Sequence, residues 1–329
     1  MTDKVMIHVE RLTKDYGGKA PAVDAISFDV HAGEVLGFLG PNGAGKTTTM
    51  RMLTSFLAPS SGRAKIAGHD VYEESLEVRR RIGYLPEDTP LYRDMTVLEY
   101  LEFICDVREI PKSSRRSRLK RVVEQVGLGE RLGYLVGELS KGYRQRVGLA
   151  QAIVHEPEVL ILDEPTSGLD PNQIAEIRSV IKAIGREKTV IFSTHILGEV
   201  QATCSRVIII ADGKIAADGS PDELSRKSSG AESILIEIGG RRGNDTDPLN
   251  LLQRIDGVDE VKAITTSGWS LSDRPRATQF RVIAKGGTDP RGDIARVIAT
   301  ADGMDLLQMT PEKASLEDVF RKLTTTQGA

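Results

Sequence analysis

The chain has 329 residues, of which 40% are hydrophobic and 28% charged, with a formal net charge of −3. That length suits two modest domains, and a near-neutral mixture of both signs gives no global attraction to nucleic acid, which excludes a DNA-coating role. The only two cysteines, Cys105 and Cys204, lie far apart without metal-ligand spacing and read as reduced thiols of a cytosolic protein.

The N-terminal stretch MTDKVMIHVERL mixes acidic and basic residues and lacks the apolar core of a signal peptide. Apolar runs such as Val207 to Ala211 reach about a third of the length that crosses a bilayer, so contact with a membrane is expected to pass through a partner. VMIHVERL and AVDAISFDV are strand-like, and an HAGE turn leads into the apolar strand VLGFL, which predicts an antiparallel sheet feeding a buried parallel strand. Met50, Leu53, Phe56 and Leu57 then recur at helical spacing, with Pro59 and Gly62 expected to end that helix. From about 88 to 155 the pattern is helical, with Thr96 and Glu99 forming a capping-box signature ahead of Val97, Tyr100, Leu101 and Ile104.

The parallel-sheet pattern resumes with VLILD, a helix opened by Asp170 and Pro171, and the strands TVIFS and RVIII. A DGK turn predicts a hairpin, Ser220, Pro221 and Glu223 open a short helix, and the polar stretch 225–232 reads as a linker. The domain boundary is therefore placed between 228 and 229. Beyond it, ILIEI, VKAITT, QFRVIA and LLQM alternate with helical stretches at 248–255 and 290–300, an order expected to give a small α+β, ferredoxin-like sheet with a final helix from Ser315. Two basic runs, Arg79 to Arg81 and the group Arg115, Arg116, Arg118, Lys120 and Arg121, read as solvated helix faces, and Trp269 carries no functional signal.

Three segments carry chemistry. Gly40, Pro41, Asn42, Gly43, Ala44, Gly45, Lys46 and Thr47 fit G-x-x-x-x-G-K-[ST] between a predicted strand and a helix that continues with Thr48. Glycines let backbone N–H groups approach phosphate oxygens at the positive end of a helix. Lys46 is then expected to reach the terminal phosphates, and the Thr47 hydroxyl to bind magnesium. In VLILDEP a buried strand delivers Asp163 and Glu164 to its carboxyl end, where two adjacent acids repel unless a cation lies between them. Asp163 is expected to hold that cation, and Glu164 to orient or deprotonate an attacking water. LSKGYRQRV places Ser140 and Gly142 at the mouth of a helix.

This last segment, just upstream of VLILDEP, resembles the signature motif of ATP-binding-cassette (ABC) proteins, usually written LSGGQ. The resemblance covers residues 5 to about 225 and implies a P-loop NTPase of α/β class, with a parallel core sheet, an antiparallel β subdomain and a helical insert. It also implies roles for neighbours: Ser167 to Asp170 look like the D-loop, His195 like the switch histidine, and Tyr16 like the aromatic that stacks on adenine. The chain departs from the family pattern in two places. Glu87 stands where a magnesium-sensing, coupling glutamine is usual, and as a carboxylate it can ligate magnesium or accept from water but cannot donate. Lys141 and Tyr143 replace the signature's Gly and Gln, leaving Ser140 and Gly142 as the expected γ-phosphate contacts.

GYLPE followed by PLY, LSKGYRQRVGLAQAI and the C-terminal SLEDVF look like the ATPase subunits of ABC-2-type exporters, including gliding-motility-associated and multidrug-type members. The resemblance implies ATP and Mg2+ as cofactors and hydrolysis by Glu164 with His195. It implies an ATP-dependent homodimer, or a heterodimer with a paralogous cassette, in which each signature closes the other's site. It further implies separate transmembrane permease subunits holding the chain on the inner face of the membrane. A soluble ABC ATPase acting on nucleic acid or ribosomes remains the alternative, disfavoured by the single cassette, the absence of long heptads and the balanced charge. A small-molecule kinase has the signature segment against it.

Overall fold

The computed structural model describes residues 4–227, 233–240, 247–264, 277–285, 288–312 and 316–325. They form two compact units, Met1–Pro221 with Leu323–Ala329, and Asp222–Lys322. Trp269, Ser315 and residues 228–232 of the expected linker lie outside the described residues.

The first unit opens with the long antiparallel strands β1 (Val5–Lys14) and β2 (Val23–His31), then β3 (Val35–Leu39), helix α1 (Lys46–Leu53), β4 (Ser61–Ile66) and the short β5 (His69–Asp70). Next come α2 (Ser75–Arg81), β6 (Ile82–Leu85) and three helices, α3 (Val97–Val107), α4 (Lys112–Val126) and α5 (Lys141–Ile153). The chain continues through β7 (Val159–Asp163), α6 (Pro171–Ile184), β8 (Thr189–Thr194), α7 (Leu197–Thr203) and the hairpin β9 (Arg206–Ala211) and β10 (Lys214–Gly219). One sheet is antiparallel, in order β2-β1-β4-β5, and the other runs β10-β9-β3-β8-β7-β6. In the second sheet β10 alone pairs antiparallel, and the five strands inside it are parallel.

Strand alternation explains why this parallel sheet lies at the centre. Val159 and Ile161 of β7 face a core shared with β1, β2 and α1, whereas Leu160 and Leu162 face a core built with α5 and α6. A strand buried on both faces must be apolar at every position, and all five residues of β7 are buried, including Asp163 at its end. The carboxyl ends of β3, β7 and β8 are therefore held rigidly side by side.

Local signals do much of the rest. Thr96 and Glu99 form the complete capping box of α3, and Asp170 caps α6 through the N–H groups of Asn172 and Gln173, with Pro171 in the first turn. The turn between β9 and β10 holds Asp212 at φ 48° and Gly213 at φ 77°, the left-handed pair that a two-residue hairpin demands. The parallel core, antiparallel sheet and helical insert expected from the sequence are all present.

The helix after the glycine loop is shorter than its periodicity predicts. It stops at Leu53, because the Thr54 hydroxyl bonds back to the Met50 carbonyl at 2.9 Å and Ser55 turns left-handed at φ 59°. Phe56 thereby leaves the core side and is 74% exposed. The expected linker is also shorter, since its first residues belong to helix α8 (Pro221–Lys227).

The second unit contains β11 (Ser233–Gly240), α9 (Pro248–Gln253), β12 (Val258–Ile264), β13 (Ala277–Ala284), α10 (Arg291–Thr300), β14 (Met304–Glu312) and α11 (Leu316–Thr325). Its sheet order, β12-β13-β11-β14 with antiparallel neighbours, is the ferredoxin-like arrangement. Leu252 of α9 and Ile294 and Ile298 of α10 pack into one core with Ile234, Ile236, Phe280 and Val282.

Phe192, 1% exposed in the core beneath α6, tests the architecture. Phe192→Ala is expected to destabilise the first unit by about 3–5 kcal/mol. Tyr72→Ala, at a side chain 67% exposed, should stay within about 0.5 kcal/mol of the parent in the same denaturation measurement.

Candidate functional site

Between the last residue of β3 and the first of α1, the loop Gly40–Gly45 folds into a space that only glycine fits at two positions. A Cβ on Gly40 would lie 2.5 Å from the Ile210 carbonyl oxygen, and one on Gly45, at φ 104°, would lie 2.5 Å from that of Ala22. No side chain caps α1, so the first-turn N–H groups are left for an anion. Lys46 is 5% exposed and donates to the carbonyls of Gly40 at 2.8 Å and Pro41 at 3.2 Å. Ala22 closes the β1–β2 loop by donating its N–H to the Lys14 carbonyl at 2.8 Å. That loop, packed against Gly45, carries Tyr16, 62% exposed, with Lys14 Nζ 5.4 Å from the ring centroid. An open aromatic ring thus stands on the loop whose other end, Ala22, meets the phosphate loop.

Asp163 and Glu164 leave β7 beside Ser193, Thr194 and His195 at the end of β8, where Asp163 is in register with Ser193. The Ser193 hydroxyl donates to Asp163 Oδ1 at 2.6 Å and accepts the Glu164 N–H at 3.0 Å. Glu164 sits at φ 47°, a left-handed conformation that costs a non-glycine residue about 1–3 kcal/mol and persists only where the surroundings enforce it. Its carboxylate bridges two side chains, with Oε1 3.2 Å from Lys46 Nζ and Oε2 2.9 Å from His195 Nδ1. Thr47 Oγ1 donates to Asp163 Oδ1 at 3.2 Å. Burial pushes the Asp163 carboxyl above the usual carboxylate range, against the hydrogen bonds from Ser193 and Thr47 that pull it down.

These residues suit magnesium. Two adjacent carboxylates at 1% and 6% exposure have one buried lysine beside them, and a hydroxyl and a carboxylate oxygen already meet at Thr47 and Asp163.

Other expected site residues lie at the rim. Glu87 is exposed, and its Oε1 accepts from Ser167 Oγ at 3.5 Å, which joins the loop after β6 to the loop after β7. Thr48 is half-buried in the first turn of α1, and Asn42 and Gly43 are exposed on the phosphate loop. Ser140 caps α5 by accepting the Tyr143 N–H. Among the described residues no hydrogen bond joins Ser140 or Gly142 to the phosphate loop. A Cβ on Gly142 would meet the Gln173 side chain at 2.7 Å, and the Lys141 side chain lies along Gly168. Ser193 was not singled out from the sequence; its signal is a small hydroxyl residue two positions before the histidine, meaningful only once β7 and β8 are paired.

A family model described as "ABC transporter" matches residues 23–167, and one described as "AAA domain, putative AbiEii toxin, Type IV TA system" matches 135–200. The "Uncharacterized ABC transporter ATP-binding protein YhcH" of Bacillus subtilis is 40% identical over 261 residues, covering 79% of this chain and 84% of that one. The "Bacitracin transport ATP-binding protein BcrA" of Bacillus licheniformis is 40% identical over 68% of this chain and 72% of its own. The "Probable multidrug ABC transporter ATP-binding protein YbhF" of Escherichia coli is 37% identical over 70% of this chain but 39% of its own. Among solved structures, cbiO1 from Clostridium perfringens, described as part of the ABC transporter complex cbiONQ, superposes with a TM-score of 0.62 at 30% identity, over 68% of this chain and 91% of that one. The "Dimeric Structure of MJ0796, a Bacterial ABC Transporter Cassette" shares the fold at a TM-score of 0.60 and 24% identity, over 65% of this chain and 98% of that one.

The raised Asp163 pKa has a consequence for stability. A carboxyl that holds its proton more tightly when folded contributes stability below its ordinary value of about 4, and that contribution is lost as pH rises through the raised value. Asp163→Asn is therefore expected to melt above the parent at neutral pH without nucleotide, by about 2–4 °C per kcal/mol relieved. The gap should narrow as the pH falls through the raised value toward about 4 and stop changing below about 4 in a thermal melt series.

Proposed function

The chain belongs to the ATP-binding subunits of the ABC transporter family, whose cassettes bind and hydrolyse ATP, and from that premise we propose that it drives an ABC-2-type exporter by closing as a dimer around ATP. The observation that carries this reading is the constellation at the phosphate loop, in which Glu164 touches both Lys46 and His195 while Asp163 touches Thr47.

Lys46 and the first-turn N–H groups of α1 bind the phosphates, and Tyr16 stacks on the base. Glu164 accepts a proton from the attacking water, and the His195 ring holds the carboxylate in place. Thr47 and Asp163, with Glu87 from the rim, would hold a magnesium ion, whose charge would offset the negative charge that builds on the phosphates during cleavage. Ser140 and Gly142, which make no hydrogen bond to their own phosphate loop among the described residues, serve the site of a second cassette. The dimeric cassettes among the structures of this fold support that arrangement.

The partner is a separate permease. No helix among the described residues is long and apolar enough to cross a membrane, and in this reading the partner holds the chain on the inner face. A groove of about 810 Å³ between α2, α3, α4 and the end of α5 is the surface that suits it. Phe56, Leu76 and Val107 line it while 74, 65 and 59% exposed, an apolar floor that water disfavours. Arg108 also lines it, donating to the Arg79 carbonyl at 2.7 Å but meeting no carboxylate among the described residues. Burial lowers the Arg108 pKa, and holds His155 beside it down to about 4, hence neutral. The permease segment that enters this groove supplies the missing carboxylate. The names of the relatives, multidrug and bacitracin transport among them, support an exporter and give no support to an ATPase acting on nucleic acid.

Affinity isolation of the chain from membranes is expected to bring down a polytopic membrane protein. Arg108→Glu should reduce that co-isolation by about tenfold or more, since a like charge replaces the attractive one, while ATP turnover by the isolated chain persists. Tyr16→Ala is expected to weaken ATP binding by roughly 1–3 kcal/mol in a titration without abolishing turnover, because base stacking is lost while phosphate contacts remain.

A further inference from the structure

His195 projects from a short turn between β8 and α7, and what fixes that turn lies underneath it. Thr194 and Glu199 are 0% and 1% exposed. The Thr194 hydroxyl donates its single proton to Glu199 Oε2 at 2.7 Å and accepts the N–H of Ile196 at 3.0 Å. Glu199 in turn donates its N–H to the Ile196 carbonyl at 3.2 Å. The residues immediately before and after His195 are thus tied to each other through one hydroxyl, and that hydroxyl is oriented by Glu199. The same Thr194 accepts, at its carbonyl, the N–H of Gly40 at 3.3 Å, so the turn is anchored to the phosphate loop on its other side.

A carboxylate is a costly choice for this place. Glu199 has no ion-pair partner among the described residues, and its Oε1 is buried without a hydrogen-bond partner. Leucine would fill the space without that penalty but would leave the Thr194 proton with no acceptor and the hydroxyl free to rotate. A buried polar group kept at such a cost signals a geometric requirement, and the group it steadies is the imidazole 2.9 Å from Glu164.

We propose that Glu199 is a positioning residue for hydrolysis: by orienting the Thr194 hydroxyl it sets the height and angle of His195 against Glu164. The inference rests on the reading of Glu164 and His195 as the hydrolytic pair, and it adds a role for a residue buried beneath the turn and bonded to Thr194. Displacing a catalytic side chain by about 1 Å costs on the order of 100-fold in rate without altering substrate binding.

Steady-state ATPase kinetics of the full chain test it, with Glu199→Ala, Glu199→Gln, Thr194→Val, His195→Ala and the Glu199→Ala/His195→Ala double variant. Glu199→Ala is expected to lower kcat by about 10- to 100-fold with KM for ATP within about twofold, the pattern of a transition-state effect. Glu199→Gln keeps an oxygen that can accept from Thr194 and should recover most of that loss. Thr194→Val keeps the shape but deletes the hydroxyl, so it should reproduce the Glu199→Ala defect, and it decides the matter if Glu199→Ala does not fold. Because Glu199 acts through His195, the double variant should turn over within about twofold of His195→Ala alone. Independent defects that multiply in the double variant, or full turnover in Thr194→Val, would overturn the positioning role. Full turnover in His195→Ala would instead bring down the hydrolytic pair and this inference with it.

Discussion

Two neighbouring carboxylates, Asp163 and Glu164, are carried into a nearly water-free position at the end of the central strand, and the surroundings are arranged to tolerate them there. Adjacent acids in low dielectric repel strongly. Relief comes from Lys46 against Glu164, from His195 on its other oxygen, and from two hydroxyl donors on Asp163. Each of these groups comes from a different segment, so the charge problem can be solved only if β3, β7 and β8 are held in fixed register. The same arrangement leaves one carboxylate short of a full positive counter-charge, a deficit that a bound cation would offset.

The rigid frame follows from simple packing. A strand sealed on both faces cannot shift register without moving an apolar residue or an acid into the wrong layer. β7 is such a strand, between the α5–α6 core and the β1–β2–α1 core. On that frame the phosphate loop is pressed against the Ala22 and Ile210 carbonyls so closely that side chains are excluded at Gly45 and Gly40. Contact with Ala22 also brings the Tyr16 loop to the site's edge. Binding, cleavage and the exposed aromatic are thus linked through backbone contacts rather than through side chains alone.

What the sequence made legible was whatever depends on neighbours along the chain. The glycine loop, the acids after VLILD, the Thr96 and Glu99 capping box and the Asp170–Pro171 helix start are all local patterns, and each is present. Hidden features depend on pairing across the sheet. Ser193 becomes important because β7 and β8 place it beside Asp163, and Glu199 because α7 folds it under Thr194. The left-handed backbone of Glu164 has no sequence signature, since it is the surroundings across the sheet that hold a non-glycine residue there. Periodicity also overran the end of α1, where the Thr54 hydroxyl competed for the helix's own carbonyls and turned Phe56 outward. That error matters for function, because the misplaced phenylalanine forms part of the apolar groove.

The proposed mechanism gives Glu164 the cleavage of ATP held between two cassettes. Glu164→Gln retains shape and hydrogen-bonding reach but removes the charge that activates water, so binding should survive while cleavage slows. A ligand that binds only the closed pair must then drive association by linkage. Light scattering of the Glu164→Gln chain should report a dimer in Mg-ATP and a monomer in ADP. Cassettes that stay apart under saturating Mg-ATP, or a variant that hydrolyses ATP at the parental rate, would contradict it.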